Sequence, residues 1–374
     1  MKPINRMSTL LLGLVTVGLI LLGTSPADAE EKYESPEIGE AIEYLRQNGA
    51  SVRSYSSHVF MAVNLQFNTQ TKQGPTSYTI SINNLKPTPE NLAPLLVIPQ
   101  VNRLTLSPSF ERDQNAWNTL IQMSELESLT ISGQLQEHDL RNLAQYTNLK
   151  NLTLQAKNLK PEDLWYLEEL TELKHLTLLV SDDCQPYFDY LTRLPKLDSL
   201  TIRVDTDQPF SLDGIEQLTG LRTLSIDCQE THGTNVQAIG KLTELQSLSL
   251  LRTVISQEEM ELFRELEQVS YLHLYRCHFK KHPVDAFSGM TSLQRVQLSN
   301  NEMNNDILQP LGKLPRLHYL YIRSSPITDQ GLTYLHKAPV LRTLQLSATD
   351  ITEAGVKALQ EARPTTHVIA PIKK

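Results

Sequence analysis

Apolar residues recur along most of this chain in the pattern LxxLxL, in which x is any residue. The pattern first appears at Val101, and between Leu149 and Leu341 it returns every 24 residues, eight times in succession. The copies read VNRLTL, LESLTI, LKNLTL, LKHLTL, LDSLTI, LRTLSI, LQSLSL, VSYLHL, LQRVQL, LHYLYI and LRTLQL. Alternating apolar and polar residues predict a short strand in each copy. A fixed period of this length predicts a solenoid of stacked repeats.

The second half of each repeat has a helical pattern. The segments ITDQGLTYLHKAP (327–339) and ITEAGVKALQEARP (351–364) begin with a threonine suited to a helix N-cap and continue with apolar residues at helical spacing. Ser256 and Glu259 form a capping-box pattern, and Pro161 suits a first helical position. Each repeat is therefore predicted to be a strand, a turn and a helix of two to three turns.

These two motifs resemble those of leucine-rich repeat proteins, and the resemblance covers nearly the whole chain after its first segment. It implies an α/β fold: a curved solenoid with a parallel β-sheet on the concave side and helices on the convex side. The ITxxGLxxL half is similar to the 24-residue repeats of bacterial members. The usual asparagine, three residues past LxL, is present only as Asn301, and other repeats carry residues such as Thr253 or Cys277 there. An unbroken ladder of side chains at this turn is therefore not expected.

The first residues predict a secretory signal peptide over residues 1–29. Lys2 and Arg6 precede an apolar run at 10–23, and Ala27-Asp28-Ala29 then provides a small-x-small cleavage site. The run is short for a membrane span. Export to the periplasm, the cell surface or the medium is expected, and contact with a membrane only if the segment stays uncleaved as an anchor.

The remaining chain is divided into three segments. Residues 30–75 are predicted to be an N-terminal capping region, with a helix over PEIGEAIEYLRQNGA and a strand over VFMAVNLQF (59–67). The solenoid is predicted over 76–365, with about 11–12 repeats of the period typical of this architecture. Residues 366–374 are predicted to form a C-terminal capping strand and tail, because end repeats must cover the open core.

Residues between the leucines of LxxLxL are expected to point outward from the sheet. At the x of LxL, the first seven copies carry threonine or serine, from Thr105 to Ser249, which suits a plain pleated surface. From His273 onward the same position holds histidine, glutamine or tyrosine, and the neighbouring outward positions change in the same repeats. The chain has only 6% aromatic residues, so this concentration stands out.

Nine residues form this group, which we call the tyrosine–arginine surface. They are Tyr271, His273, Tyr275, Arg276, Arg295, His318, Tyr319, Tyr321 and Arg323. Strand spacing places them within roughly 15 Å of one another. Tyrosine and arginine dominate binding hot spots because each combines a large apolar face with a polar tip. Packing of polar aromatic residues across strands would explain the same pattern without a partner.

The stretch YLHLYRCHFKKH (271–282) has the composition of a metal or thiol site, but the repeat register separates its residues. His273 points outward, Cys277 occupies the inward turn position, and His278 and His282 fall in the turn and the following connection. Pro283 interrupts any helix that would align these last two histidines. Neither a metal ion, nor a cofactor, nor a Cys–His nucleophile is expected.

The three cysteines, Cys184, Cys228 and Cys277, are separated by about two repeats. Two repeats correspond to about 10 Å at sheet spacing, beyond the roughly 7 Å limit for a disulfide, so all three are expected to be reduced. GxSxG, HExxH and glycine-rich phosphate loops are absent from the sequence. No enzymatic activity is expected.

The expected function is binding of a protein partner through the concave face, as the resemblance implies. The formal net charge of −8 argues against nucleic acid, which requires a basic surface. A glycan or another cell-envelope polymer is one alternative partner, since sugars also favour aromatic platforms. A structural adhesin or spacer, without a dominant binding surface, is the other.

Overall fold

The computed structural model describes residues 35–56, 76–181, 184–206, 210–228, 234–279, 286–301 and 303–370. The predicted signal peptide, the predicted strand at 59–67 and His282 lie outside these ranges. The boundaries of the four predicted segments stay predictions.

One sheet of 14 strands runs through the described residues, and its strands follow one another in chain order. They are β1 Ala50–Ser56, β2 Thr76–Ile82, β3 Val101–Leu106, β4 Ser128–Ser132, β5 Asn151–Gln155, β6 His175–Val180, β7 Ser199–Val204, β8 Thr223–Cys228, β9 Ser247–Leu251, β10 Tyr271–Tyr275, β11 Arg295–Ser299, β12 Tyr319–Arg323, β13 Thr343–Ser347 and β14 His367–Ile369. Neighbouring strands are parallel, except that β1 and β2 are antiparallel. From β5 onward the paired residues lie 24 positions apart, as Leu248 with Leu272.

The predicted repeat unit is observed, although its second half is often shorter than a helix of two turns. The α-helices are α1 Pro36–Gln47, α2 Pro89–Val97, α3 Gln114–Leu120, α4 Glu137–Leu143, α5 Gln185–Leu191, α6 Gln257–Leu262, α7 Leu308–Leu311, α8 Asp329–Leu332 and α9 Glu353–Ala362. The 3₁₀ segments are Pro161–Leu167, Ile215–Gln217, Gln237–Lys241, Phe263–Glu265, Ala286–Gly289, Asn305–Ile307 and Thr333–Leu335. A 24-residue repeat must also supply a strand and two turns, so few residues remain for the helix, and tight 3₁₀ turns suit such short pieces.

The leucines of the LxxLxL copies form the core between the sheet and the helices. Leu272, Leu274 and Leu320 are completely buried, as predicted from the pattern. Each buried leucine contributes about 1.5–3 kcal/mol by leaving water. At the N-terminal end the apolar face of α1 packs on this core, and at the C-terminal end α9 and β14 cover it.

The turn after each of the last repeat strands contains a residue in the left-handed region of backbone conformation. These residues are Arg252, Arg276, Asn300, Ser324 and Ala348, with φ between 50° and 58°. The backbone N–H of Arg276 donates to the Ser299 carbonyl at 2.9 Å, and those of Asn300 and Ser324 make the equivalent bonds. The left-handed conformation allows these hydrogen bonds to join neighbouring repeats, yet none of the five positions holds glycine.

Replacing Ala348 with glycine is expected to raise the free energy of unfolding by about 1 kcal/mol, because glycine adopts positive φ without steric cost. Ala358→Gly is the matched control, since Ala358 is an exposed residue inside α9 and glycine there should cost about 1 kcal/mol. Urea unfolding of both variants measures the difference. Destabilisation of similar size in both would contradict the assigned turn conformation.

The side chain three residues past LxL bridges neighbouring repeats at two of these turns. The amide oxygen of Asn301 accepts the Cys277 backbone N–H, and its amide nitrogen donates to the Leu274 carbonyl, both at 2.8 Å. The Cys277 thiol donates to the Leu250 carbonyl at 3.2 Å. Ser325 instead bonds within its own turn. The ladder is thus interrupted, as the sequence indicated.

A buried polar cluster, which the sequence pattern did not predict, joins the α3 and α4 segments of two consecutive repeats. Asp139 is 0% exposed and accepts hydrogen bonds from the indole N–H of Trp117 at 2.7 Å and the Gln136 backbone N–H at 2.9 Å. The Arg112 guanidinium donates to the same carboxylate at 3.3 Å and also reaches the Gln134 carbonyl. The charge of Asp139 is therefore compensated by its neighbours.

Candidate functional site

The strands β10, β11 and β12 place the tyrosine–arginine surface on the outward face of the sheet. Tyr271 pairs with Arg295, and Arg295 pairs with Tyr319, so the arginine lies between two tyrosines on flanking strands. Two residues further along, His273 is followed across the sheet by Gln297 and Tyr321. The lateral alignment predicted from the 24-residue register is present.

His273 stands between two tyrosines on its own strand. Its ring centroid is 6.5 Å from that of Tyr271 and 6.4 Å from that of Tyr275, with tilted ring planes. The Nδ1 atom lies 3.2 Å from the Ser249 hydroxyl on β9. Burial among these neighbours lowers the pKa of His273 below its usual value of 6.5, which keeps the imidazole neutral.

Arginine side chains lie over two of the tyrosine rings. The Arg295 guanidinium carbon is 5.1 Å from the ring centroid of Tyr319, and that of Arg276 is 5.4 Å from the ring centroid of Tyr275. The Tyr319 hydroxyl also donates to the Gln345 side chain at 3.1 Å. These contacts hold the side chains in place before any partner arrives.

The Tyr271 hydroxyl is buried and has no hydrogen-bond partner among the described residues. Desolvation raises the pKa of Tyr271, opposed by the nearby charge of Arg295. Desolvation likewise raises the pKa of Tyr319. Both phenols remain protonated at neutral pH, so each can donate a hydrogen bond.

Two of the nine residues lie at the margins of the surface. Arg276 follows the end of β10, whereas His318 precedes the start of β12, with its Nδ1 3.3 Å from the Arg316 carbonyl. These two residues therefore lie outside the strands, and the other seven lie on β10, β11 and β12.

His273→Gln is expected to reduce the loss of stability on acidification, and Gln297 shows that glutamine fits this column. The pKa of His273 is lowered in the folded state, so the unfolded chain takes up a proton first as pH falls below about 6.5. The free energy of unfolding of the wild type should then fall more steeply than that of the variant between about pH 7.5 and about pH 5. Parallel pH profiles from urea titrations would contradict this.

The remaining chemistry of the 271–282 stretch is structural in the described residues. Cys277 is buried as predicted, and burial raises the pKa of its thiol to about 12, which disfavours the reactive thiolate. Cys184 and Cys228 are also buried thiols that form no disulfide, as predicted. Within the described part of the chain, no group of three or more His, Cys, Asp or Glu side chains is arranged to hold a metal ion.

A second group of aromatic residues, not singled out from the sequence, lies on the opposite, helical side. Trp165 is 56% exposed, and the Arg193 guanidinium lies 5.0 Å from its ring centroid and 5.5 Å from that of Tyr190. Arg193 also pairs with Glu168. These contacts join two consecutive repeats, so the cluster has a structural role. The sequence offered one signal, since Trp165 is a large apolar residue between the inward positions Leu164 and Leu167.

The repeat geometry agrees with comparisons to known proteins. Residues 168–356, about half of the chain, match the family described as "Leucine-rich repeat region". The chain therefore belongs to the leucine-rich repeat family. A search of curated protein sequences finds no significant match.

Three of the solved structures that match this chain come from two bacteria and from mouse. An internalin of Listeria monocytogenes is 20% identical over 78% of each chain, with a TM-score of 0.52. A leucine-rich repeat protein of Leptospira interrogans is 16% identical over 76% of this chain and 93% of its own, with a TM-score of 0.35. The mouse RP105/MD-1 complex gives 16% identity over 78% of this chain and 49% of its own, with a TM-score of 0.49. The internalin shows the same solenoid fold.

Among the described residues, none of the helices has the length and apolar character needed to cross a membrane.

Proposed function

We propose that this chain is an exported, non-enzymatic binding protein that holds a protein partner on its tyrosine–arginine surface. Leucine-rich repeat solenoids commonly mediate protein–protein interaction, and their extended concave faces are the usual binding surfaces. Export is supported by the signal-peptide pattern of residues 1–29. The thiol of Cys277, the one candidate nucleophile in the stretch, is buried.

The observation that carries the proposal is the preorganised aromatic cluster on β10–β12. Tyr271, His273 and Tyr275 are partly exposed and stand on one rigid strand, and Arg295 is held against Tyr319 on the neighbouring strands. Side chains fixed in this way lose little conformational freedom on binding, which favours affinity. Outward positions of the earlier strands carry mainly small hydroxyl residues, so the cluster is confined to one part of the face.

The test compares proteins captured from envelope and secreted fractions by the immobilised wild type and by a Tyr271→Ala/Tyr321→Ala variant. Quantitative mass spectrometry should show a specific protein that the wild type retains and the variant loses. Trp165→Ala is the matched control, because it removes a more exposed aromatic side chain from the opposite side of the solenoid. Circular dichroism verifies that all three proteins are folded.

An unchanged set of captured proteins in the double variant would overturn the proposal and favour a spacer or adhesin. A glycan array distinguishes the other alternative. Retention of a glycan by the wild type, lost in the double variant, with no protein captured, would assign the surface to a cell-envelope polymer.

A further inference from the structure

The strands that carry the tyrosine–arginine surface lack acidic residues in an otherwise acidic protein. The chain has a formal net charge of −8. Yet the segments 246–251, 270–275, 294–299, 318–323 and 342–347, which cover β9–β13 and the residue before each strand, contain no aspartate or glutamate. Earlier strands do carry acids in this face, and local clusters of one sign create a potential that attracts the opposite charge.

Three arginines on this face are exposed and unpaired. Arg295, Arg323 and Arg342 form no ion pair with another described residue. By contrast, Arg252, in the turn after β9, pairs with Asp227 of β8. An exposed guanidinium without an internal partner keeps its full capacity to bind a carboxylate in a forked geometry.

The Tyr271 hydroxyl adds an uncharged donor beside one of these cations. It is buried without a hydrogen-bond partner among the described residues, and Tyr271 lies opposite Arg295 in the register of β10 and β11. A buried polar group left unsatisfied costs about 1–3 kcal/mol. Rotation of the Tyr271 side chain toward a carboxylate placed over Arg295 would give this hydroxyl the acceptor that it lacks.

Two of the four tyrosine rings of the surface are partly covered. Guanidinium groups lie over one face of Tyr319 and one face of Tyr275, and those faces are closed to a stacked sugar. The exposed arginines offer donors to a peptide carboxylate. Arg295 and Arg342 are also spaced for an extended chain, since they stand two strands, or about 10 Å, apart.

We propose that the tyrosine–arginine surface, extended by Arg342, takes an acidic segment of a protein. One Asp or Glu carboxylate of this segment accepts hydrogen bonds from the Tyr271 hydroxyl and the Arg295 guanidinium. A second carboxylate, about three residues along an extended strand, pairs with Arg342. This inference rests on the proposed function and specifies the chemistry of its partner.

A random peptide display library, selected on the full chain and eluted with salt, tests this chemistry while the natural partner is still unidentified. Enrichment of Asp and Glu over Asn and Gln at two positions about three residues apart is the expected result. Binding of an enriched peptide should fall about tenfold for each of Arg295→Gln and Arg342→Gln, the usual effect of losing one charge-assisted hydrogen bond. Arg295→Lys should recover part of the loss, and an Asp→Asn peptide should match the Arg295→Gln loss.

The outcomes separate this inference from the proposed function. Selected peptides without acidic enrichment, whose binding is nevertheless lost in Tyr271→Ala/Tyr321→Ala, overturn the acidic segment and leave the binding surface intact. Peptides that bind this double variant as well as the wild type overturn both. Hyaluronate fragments serve as the polyanionic glycan probe, and retention of hyaluronate with no enriched peptide would assign the arginines to a uronate-containing glycan instead.

Discussion

Replacing Asp139 with leucine should lower the free energy of unfolding by about 3–5 kcal/mol, the usual cost of removing one partner of a buried ion pair. The substitution leaves the Arg112 guanidinium, the Trp117 indole N–H and the Gln136 backbone N–H without their common acceptor. The buried Trp117 indole N–H would then have no acceptor, and the Arg112 guanidinium would keep only its bonds to the Phe110, Ser132 and Gln134 carbonyls. Urea titration followed by tryptophan fluorescence measures the loss directly, because Trp117 is fully buried in the cluster.

Asp163→Leu is the matched control for this experiment. Asp163 occupies the same position one repeat later and accepts the Lys160 backbone N–H at 2.8 Å, but it is only half-buried. Its loss should cost about 1 kcal/mol, as expected for a helix cap. Asp139→Asn should fall between the two, because it keeps the shape and removes the charge. Equal losses for Asp139→Leu and Asp163→Leu would show that the cluster contributes no more than an ordinary cap.

Asn301→Leu should lower the free energy of unfolding by about 2–4 kcal/mol, because it leaves two buried backbone groups unpaired. Leucine has a similar volume, so packing changes little while the bonds to the Cys277 N–H and the Leu274 carbonyl are lost. These bonds also position the turn that follows Tyr275 and contains Arg276. Urea unfolding therefore reports the stability, and affinity for an enriched peptide reports the displacement of the surface.

Ser325→Ala serves as the control for Asn301→Leu. Ser325 occupies the same turn position in the next repeat and is buried, but its hydroxyl makes one long bond, 3.4 Å, to the Arg323 carbonyl. Its removal should cost less than about 1 kcal/mol. If Asn301→Leu is no more destabilising than Ser325→Ala, the bridge between repeats has no energetic importance.

The fold could be predicted because each repeat restates the same local pattern. Side chains alternate between the two faces of a strand, so Leu272 and Leu274 point inward, whereas Tyr271, His273 and Tyr275 point outward. The constant period then aligns equivalent residues of neighbouring strands. The predicted helix face of α1 and the capping box of Ser256 and Glu259 are also present, since both depend on residues a few positions apart. The predicted length of the helices was too great, because short 3₁₀ turns and short α-helices have the same spacing of apolar residues.

The buried polar cluster and the left-handed turns, which join different repeats, could not be predicted from the sequence. The position of Asp139 indicates only a capping residue of α4. Its contacts with Arg112 and Trp117, more than twenty residues earlier in the chain, make it the centre of a buried cluster. The left-handed turn at Ala348 has no signal either, because alanine rarely adopts this conformation outside such a constraint. Both depend on the exact placement of one repeat on another.

The sequence by itself determined the solenoid, the residues of its core and the residues that face outward from each strand. The repeat pattern within each strand fixes these features, and they do not change when the repeats stack. The tertiary structure decided how those outward residues act together. It placed Arg295 between Tyr271 and Tyr319, covered two tyrosine faces with guanidinium groups and left the Tyr271 hydroxyl without a partner among the described residues. Side-chain rotamers and contacts across strands set these details, and no pattern along a single chain encodes them.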